Sequence, residues 1–155
     1  TASRSEIHKL LRSIGLPSKH PKNVIIMGGG RISYYLTKML ITAGVNVKII
    51  ETDKDTCHDL ALALPEATII MGDGMKPEIL LEEGIATTDA FIALTGKDET
   101  NILTSFFVAG QTLSTIISKI NRADLASSAE KMGLECIVSP QQTVSNVVSR
   151  YFFPS

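Results

Sequence analysis

The sequence predicts an α/β fold: a Rossmann-like, doubly wound parallel six-stranded sheet with helices on both faces. Three observations predict it. Short apolar runs alternate six times with longer segments of helical periodicity. The first run, from Val24 to Met27, is continuously apolar, which is typical of a strand that is covered on both faces. The first run ends in three glycines that open the next helix, which is how such sheets begin.

Length and composition are those of a soluble globular unit. The chain has 155 residues, which at roughly 100 to 200 residues per domain predicts one main core. Lys plus Arg number 15 and Asp plus Glu 16, so the net charge is -1, and 44% of residues are hydrophobic. This profile excludes disorder and a basic nucleic-acid arm, so we expect no nucleic-acid partner. Two distant cysteines, Cys57 and Cys136, offer no disulfide scaffold or zinc site and favour a reducing compartment.

The first 22 residues are predicted to be a leader. Residues 4–14 carry apolar residues at helical spacing and are followed by a Gly-Leu-Pro stop, so they predict a short helix. Pro17 and Pro21 give residues 16–22 the chemistry of a linker. The main domain should therefore start near Asn23.

From Asn23 onwards the chain is predicted to alternate between strands and helices. Each crossover between parallel strands should be right-handed, which places the helices on the two faces of the sheet. The predicted strand and helix pairs are 24–27 with 32–43, 45–51 with 54–64, 68–71 with 77–83, 90–94 with 98–111, 115–120 with 123–132, and 136–138 with 141–152.

The turn after the first strand is a G-x-G-x-x-S version of the dinucleotide fingerprint. Gly28 permits the tight turn, Gly30 lets the backbone approach a pyrophosphate, and the helix start offers N–H groups to the phosphates. Ser33 stands where the fingerprint has its third glycine. The alternative is a glycine-rich turn that binds nothing. The full turn is Gly28-Gly29-Gly30-Arg31-Ile32-Ser33.

An acidic residue, Glu51, ends the second predicted strand, where this kind of fold places an acid on the adenosine ribose. Its charge opposes a 2′-phosphate, since like charges about 4 Å apart cost roughly 4 kcal/mol at an effective dielectric near 20. NAD or an adenine nucleotide is thus favoured over NADP. The alternative is that Glu51 ends the strand in solvent. The nearby Asp53 is predicted to cap the second helix of the alternation rather than contact a ligand.

Four further residues have two interpretations each. Arg31 is either a phosphate partner or an exposed residue at a helix start. Thr95 and Gly96 follow the fourth strand and could line the cofactor. The alternative is that Thr95 and Asp98 only cap the next helix. Asp73 either borders an adenine pocket or only makes a turn.

No catalytic or metal-ligating set is found. Tyr34 and Lys38 form a Y-x-x-x-K pair, but it lies beside the phosphate turn, whereas a hydride-transfer base must reach the nicotinamide end of a cofactor. A nucleophile elbow, a zinc-binding helix and a P-loop lysine are all missing. A cofactor cradle without this chemistry indicates a sensor rather than an enzyme.

Several of these segments together resemble an RCK (KTN) domain, a regulator of potassium conductance, and in particular the second nucleotide-binding half of Trk-type potassium uptake regulatory subunits. The resemblance covers about residues 23–152. It implies a cytoplasmic protein on the inner face of the membrane that binds NAD, NADH, ATP or ADP and controls a membrane potassium channel or transporter. The segments are Gly28-Gly29-Gly30-Arg31, Glu51, Gly72-Asp73-Gly74, Ala93-Leu94-Thr95, Asp98-Glu99-Thr100-Asn101 and Ile137-Val138-Ser139-Pro140.

The resemblance also implies a ligand set. It places the segment from Gly28 to Ile32 at the phosphates, Glu51 at the ribose, Thr95 and Gly96 near the point where the strand order reverses, and Lys119 at the end of the fifth strand. The family often has glycine at the position of Ser33 and aspartate at that of Glu51, which leaves the choice of nucleotide open.

On the same comparison, residues 1–22 are a leader helix and linker from a preceding domain, and residues 23–155 are the RCK N-terminal nucleotide-binding domain. Tyr151, Phe152 and Phe153 make the end of the last predicted helix aromatic. Because RCK domains exchange such a helix between subunits, we expect a homodimer or higher oligomer; the alternative is that the helix folds back on its own sheet.

Three functions follow in order of preference. The first is a regulatory module that senses NAD(H) or an adenine nucleotide and controls a potassium uptake transporter. The second is the cofactor-binding domain of an NAD-dependent oxidoreductase. The third is an assembly domain that binds no nucleotide.

Overall fold

Strands and helices alternate along the chain as predicted. The computed structural model describes residues 2–16, 21–112 and 114–138. Predicted boundaries lie within two residues of those observed, and the predicted helix 141–152 lies outside the described residues. The elements are α1 (Ala2–Ser13), β1 (Asn23–Met27), α2 (Arg31–Thr42), β2 (Asn46–Glu51), α3 (Lys54–Ala63), β3 (Thr68–Met71), α4 (Pro77–Glu82), β4 (Ala90–Ala93), α5 (Asp98–Ala109), β5 (Thr115–Ile120), α6 (Ala123–Lys131) and β6 (Glu135–Val138).

The six strands form one parallel sheet in the order β3-β2-β1-β4-β5-β6. β1 lies in the middle, where Val24 pairs with Val47 of β2 on one side and with Ala90 of β4 on the other. β2 and β3 therefore extend the sheet on one side of β1, and β4, β5 and β6 extend it on the other. The strand order reverses between β1 and β4. This order confirms the predicted Rossmann-like fold, and ligands of such sheets bind at the reversal.

Helices cover both faces of the sheet, which explains why β1 is continuously apolar from Val24 to Met27. Ile26 of β1 belongs to a core cluster with residues of α1, α2 and α3. Its neighbours Ile25 and Met27 belong to a second cluster, with residues of α4 and α5 on the other face. A strand buried on both sides has no polar face to alternate with.

The leader helix α1 is packed into the same core. Ile7, Leu10 and Ile14 are buried in the first cluster, and α1 contacts α2, β5 and β6. Burying each of these side chains contributes roughly 1.5 to 3 kcal/mol. α1 thus completes the cover of one face of the sheet. Among the described residues, no helix has the length and apolar character needed to cross a bilayer.

Candidate functional site

A cleft of about 710 Å³ opens at the carboxyl ends of β1, β2 and β4, a size typical of small-molecule sites. It lies at the reversal of strand order. It brings together seven of the ten residues that the sequence singled out: Gly28, Gly29, Gly30, Glu51, Asp73, Thr95 and Gly96.

Gly28 makes the tight turn that the fingerprint requires. Its φ is +104°, a conformation that favours glycine. A Cβ at this position would lie 2.9 Å from the carbonyl atoms of Leu94 and from the amide nitrogen of Thr95. Gly28 is therefore fixed both by its backbone conformation and by the close approach of the loop that follows β4.

Gly30 leaves the start of α2 open. It is the N-cap residue with an extended backbone, and no side chain caps the helix. A Cβ at Gly30 would meet no atom within 4 Å. The first-turn N–H groups of α2 and the positive end of its dipole are thus available to an anion at the wall of the cleft.

Ser33 has a role that the sequence did not reveal. Its side chain is fully buried, and its hydroxyl donates a 2.5 Å hydrogen bond to the carbonyl oxygen of Gly28. The serine that replaces the third glycine of the fingerprint therefore ties the first turn of α2 back to the glycine turn.

Glu51 is held at the mouth of the cleft by backbone donors. Its Oε1 accepts a 2.7 Å hydrogen bond from the Gly29 N–H, and its Oε2 accepts one of 2.7 Å from the Asp53 N–H. The Thr52 hydroxyl also donates to Oε2 at 3.3 Å. The carboxylate is thus oriented, not a freely solvated strand end, and it connects β2 to the glycine turn.

Asp53 caps α3, as predicted from the sequence. Its Oδ2 accepts hydrogen bonds from the backbone N–H of Thr56 at 2.9 Å and from the Thr56 hydroxyl at 2.8 Å. These bonds from Thr56 lower the pKa of Asp53 below its ordinary value. With its carboxylate engaged at the helix start, Asp53 contributes to the site only by donating to Glu51.

The loop after β4 is held from the protein interior. Thr95 is bonded to the buried side chain of Asn101, through its N–H at 3.0 Å and its hydroxyl at 2.6 Å. Asp98 is the first residue of α5 but not its cap, because the N-cap is Lys97. The Asp98 carboxylate instead accepts hydrogen bonds from the backbone N–H groups that follow β5. The sequence motif contained Asn101 and Asp98, but their shared spacing of three residues was the only signal that both face the sheet.

Asp73 makes the turn that the sequence predicts and also lies at the cleft, while its role beside an adenine stays a prediction. It lines the cleft, and its Oδ1 accepts a 2.9 Å hydrogen bond from the Met75 N–H, which makes the turn after β3. Gly74 in the same turn approaches Met27 so closely that a Cβ would lie 2.5 Å from the Met27 sulfur.

Three of the singled-out residues do not line the cleft. Arg31 is exposed and borders a neighbouring groove beside Gly29 and Gly30. Ile32 packs against the core. Lys119 contributes its backbone carbonyl to Asn101, while its side-chain charge acts on Glu6 of α1.

Glu6 itself is a buried carboxyl that the sequence did not single out. Its side chain is 4% exposed, and its Oε2 has no hydrogen-bond partner among the described residues. Burial raises the pKa of Glu6, and the charges of Lys119 and Lys9 oppose that rise. The charge of Lys119 therefore acts on a carboxyl of the leader helix.

The Y-x-x-x-K pair has a structural explanation. The Lys38 Nζ lies 5.3 Å from the centre of the Tyr34 ring, a cation–π contact on the surface of α2. Neither residue lines the cleft.

Sheet order, glycine turn and cleft together define a Rossmann-like domain. Residues 24–140 match the model of the TrkA-N domain family, and the chain belongs to this family. It is 33% identical over 127 residues to a "Trk system potassium uptake protein TrkA homolog" of Methanothermobacter thermautotrophicus, covering 82% of this chain and 58% of that protein. It is 31% identical over 150 residues to the "Trk system potassium uptake protein TrkA" of Azorhizobium caulinodans, covering 95% of this chain and 33% of that one. The chain thus spans about a third to three fifths of these relatives.

Solved structures share the fold. The TrkA-N domain of the inner membrane protein ybaL from Escherichia coli superposes with a TM-score of 0.70 at 14% identity, covering 82% of this chain and 93% of that domain. The GsuK channel bound to NAD gives 0.67 at 18% identity, covering 89% and 24%. An L-alanine dehydrogenase gives 0.57 at 19% identity, covering 79% and 37%. At these identities the likeness is one of fold alone.

Proposed function

We propose that the cleft binds an adenine nucleotide, either NAD(H) or ATP and ADP, and that the domain is a regulatory module of a potassium uptake transporter. One observation carries the proposal. A single cleft contains an uncapped helix N-terminus at Gly30 and an anchored carboxylate at Glu51. Phosphates are recognised by the first kind of group and ribose hydroxyls by the second.

The residues present fit such a ligand. The open space at Gly30 leaves room for phosphates against the first turn of α2. Glu51 keeps acceptor capacity after its backbone bonds, because two carboxylate oxygens have about four lone-pair sites. Its charge would oppose a 2′-phosphate by roughly 4 kcal/mol at about 4 Å, so NADP should be rejected.

The regulatory part of the proposal is supported by what the relatives are called. They are named Trk system potassium uptake proteins. Solved structures of the same fold include a GsuK channel bound to NAD, the same channel bound to ADP, and a Kef C-terminal domain in an AMP-bound form. We propose a membrane transporter as the partner, a cytoplasmic location at the inner face of the membrane, and assembly through the segment after β6. A ligand can regulate in this way only by binding one arrangement of the assembly better than another.

Calorimetric titration of the full-length protein with NAD, NADH, ATP, ADP and NADPH tests the binding. Glu51→Ala should weaken binding of the preferred nucleotide by about tenfold or more and reduce the discrimination against NADPH. Glu66→Ala is the matched control, because Glu66 is exposed and lies away from the cleft. Absence of binding at millimolar concentration, or equal effects of the two variants, would refute the site.

An assay of potassium transport distinguishes the regulatory function from the second candidate, which is the cofactor domain of an oxidoreductase. This chain shares the fold of such a domain. Potassium uptake by the reconstituted transporter should change with nucleotide and lose that response in the Glu51→Ala protein. Turnover of NADH with a hydroxy or keto substrate, without any effect on uptake, would favour the oxidoreductase instead.

A further inference from the structure

We propose that Asn101 positions the loop Thr95-Gly96 after β4, which forms the far rim of the cleft. Through this rim, Asn101 sets a preference for a dinucleotide over an adenine mononucleotide. The inference rests on the proposed function. It concerns a buried side chain that does not line the cleft, since Asn101 lies behind the loop that follows β4.

Asn101 uses its whole hydrogen-bonding capacity on two loops. Its Oδ1 accepts from the Thr95 N–H at 3.0 Å and from the Thr95 hydroxyl at 2.6 Å. Its Nδ2 donates to the Thr95 carbonyl at 3.1 Å and to the Lys119 carbonyl at 2.7 Å. The side chain is fully buried. It therefore joins the end of β4 to the end of β5 from inside the fold.

Only an amide can make this set of bonds. Asparagine offers an acceptor oxygen and two N–H donors on one short side chain. Aspartate would keep the two acceptor bonds but would set a charged oxygen against the carbonyls of Thr95 and Lys119. A buried acceptor left unpaired costs about 1 to 3 kcal/mol, so the loops would move rather than keep this arrangement.

The bonds to Asn101 determine what the rim can offer a ligand. The N–H, hydroxyl and carbonyl of Thr95 are all directed at Asn101, and the Thr95 hydroxyl oxygen also accepts from the Lys97 N–H at 3.2 Å. Thr95 is therefore not a free donor for a ligand. Gly96 follows it, lines the cleft, and has open space where a Cβ would stand. The Gly96 N–H has no partner among the described residues, which makes it the donor that this rim presents.

The neighbouring residue Asp98 supports the same role one loop further along. Its Oδ1 accepts from the Asn121 N–H at 2.8 Å and its Oδ2 from the Arg122 N–H at 3.0 Å. Asp98 and Asn101 are three residues apart on α5, so one face of this helix fixes the loops after both β4 and β5.

The position of this rim predicts a selective effect. A sheet of this order consists of two mononucleotide-binding halves, and Glu51 at the end of β2 belongs to the half that takes adenosine. Thr95 follows β4, and Lys119 is the last residue but one of β5, so both lie in the other half. An adenine mononucleotide fills the first half only, whereas a dinucleotide reaches across the reversal to the second. Loss of Asn101 should thus weaken the longer ligand far more than the shorter one.

Calorimetric titration of the full-length protein with NADH and with ADP tests this selectivity. Asn101→Ala should lower the affinity for NADH by about tenfold or more and the affinity for ADP by less than about threefold. Glu51→Ala should weaken both. The matched control is Thr104→Val on the same helix: Thr104 is buried and its hydroxyl has no partner among the described residues, so this variant should leave both affinities unchanged.

Thr95→Val keeps the inference testable should Asn101→Ala not fold, because Thr95 lies at the rim and is only partly buried. It removes the 2.6 Å hydrogen bond to Asn101. The affinity for NADH should fall by about threefold, and the affinity for ADP should not change. Equal losses of NADH and ADP, or an unchanged NADH affinity, would overturn the role of Asn101. A wild-type protein that binds neither ligand would instead refute the proposed function on which this inference depends.

Discussion

Replacement of Gly30 by aspartate should stabilise the fold and at the same time remove nucleotide binding. Gly30 has φ -79° and ψ -165°, a backbone that any residue adopts at an N-cap. A Cβ there meets no atom within 4 Å. The new carboxylate can accept hydrogen bonds from the first-turn N–H groups of α2, which now have no side-chain cap.

The two effects can be estimated separately. Aspartate is a better N-cap than glycine by a few tenths of a kcal/mol, and its charge at the positive end of the helix adds about 0.3 to 1 kcal/mol. The free energy of unfolding should therefore rise by about 0.5 to 1 kcal/mol. The same charge about 4 Å from a phosphate costs roughly 4 kcal/mol at an effective dielectric near 20, or about three decades of affinity.

Urea denaturation measures the stability and calorimetric titration the affinity, with Gly30→Ala as the control that adds a Cβ without charge or acceptor. The Gly30→Asp protein should unfold at a higher urea concentration than Gly30→Ala. A Gly30→Asp protein that binds its nucleotide within about threefold of wild type would show that the phosphates do not lie at the start of α2. A Gly30→Asp protein that is less stable than Gly30→Ala would show that the first-turn N–H groups of α2 are not available to a capping side chain.

Three further predictions concern other parts of the molecule. Gly28→Ala should lower the free energy of unfolding by about 2 kcal/mol or more in urea denaturation, because its φ of +104° is strained for alanine and the Cβ would lie 2.9 Å from the Leu94 carbonyl; unchanged stability would contradict the turn. Burial raises the pKa of Glu6 above its ordinary value of 4.5, so the stability this group contributes at low pH is lost as the pH rises through the raised pKa. The gain in unfolding free energy from Glu6→Gln should therefore be larger at pH 7 than at pH 4, and a difference that does not vary with pH would contradict the burial. Burial also raises the pKa of Cys136 to about 11, so alkylation at pH 8, followed by mass spectrometry, should be more than about tenfold slower than for free cysteine; reaction at the rate of free cysteine would show a normal thiol.

The fold could be predicted because its determinants are local. The apolar run from Val24 to Met27 predicts a strand buried on both faces, and the glycines after it allow only a tight turn into a helix. Strand ends were less certain: the pair of Asn23 and Asn46 joins the ladder although both residues are polar, because backbone hydrogen bonds rather than side-chain type determine where a ladder stops.

The interactions behind the cleft could not be predicted, because they join residues that are distant in sequence. Asn101 bonds the carbonyl of Lys119, 18 residues away, and the charge of Lys119 acts on Glu6 at the other end of the chain. No periodicity encodes such pairs. The resemblance to RCK domains implies a ligand role for Lys119, and this role stays a prediction, since Lys119 does not line the cleft.

The hydrogen bonds that hold the two sides of the cleft limit how a bound nucleotide could produce a signal. Ser33 holds the Gly28 carbonyl and Asn101 holds Thr95, so both sides of the cleft are fixed before a ligand enters. A preformed cleft costs little ordering on binding, and the folding of its rim therefore cannot be the signal. Glu51 differs, because its Oε1 accepts from the Gly29 N–H, so a ribose bound to the same carboxylate would add a donor next to the glycine turn. A ligand at Glu51 should therefore act on the turn that starts α2, and α1 packs on α2. On the proposed function, we therefore expect a signal to leave the cleft from Glu51 through α2 to α1.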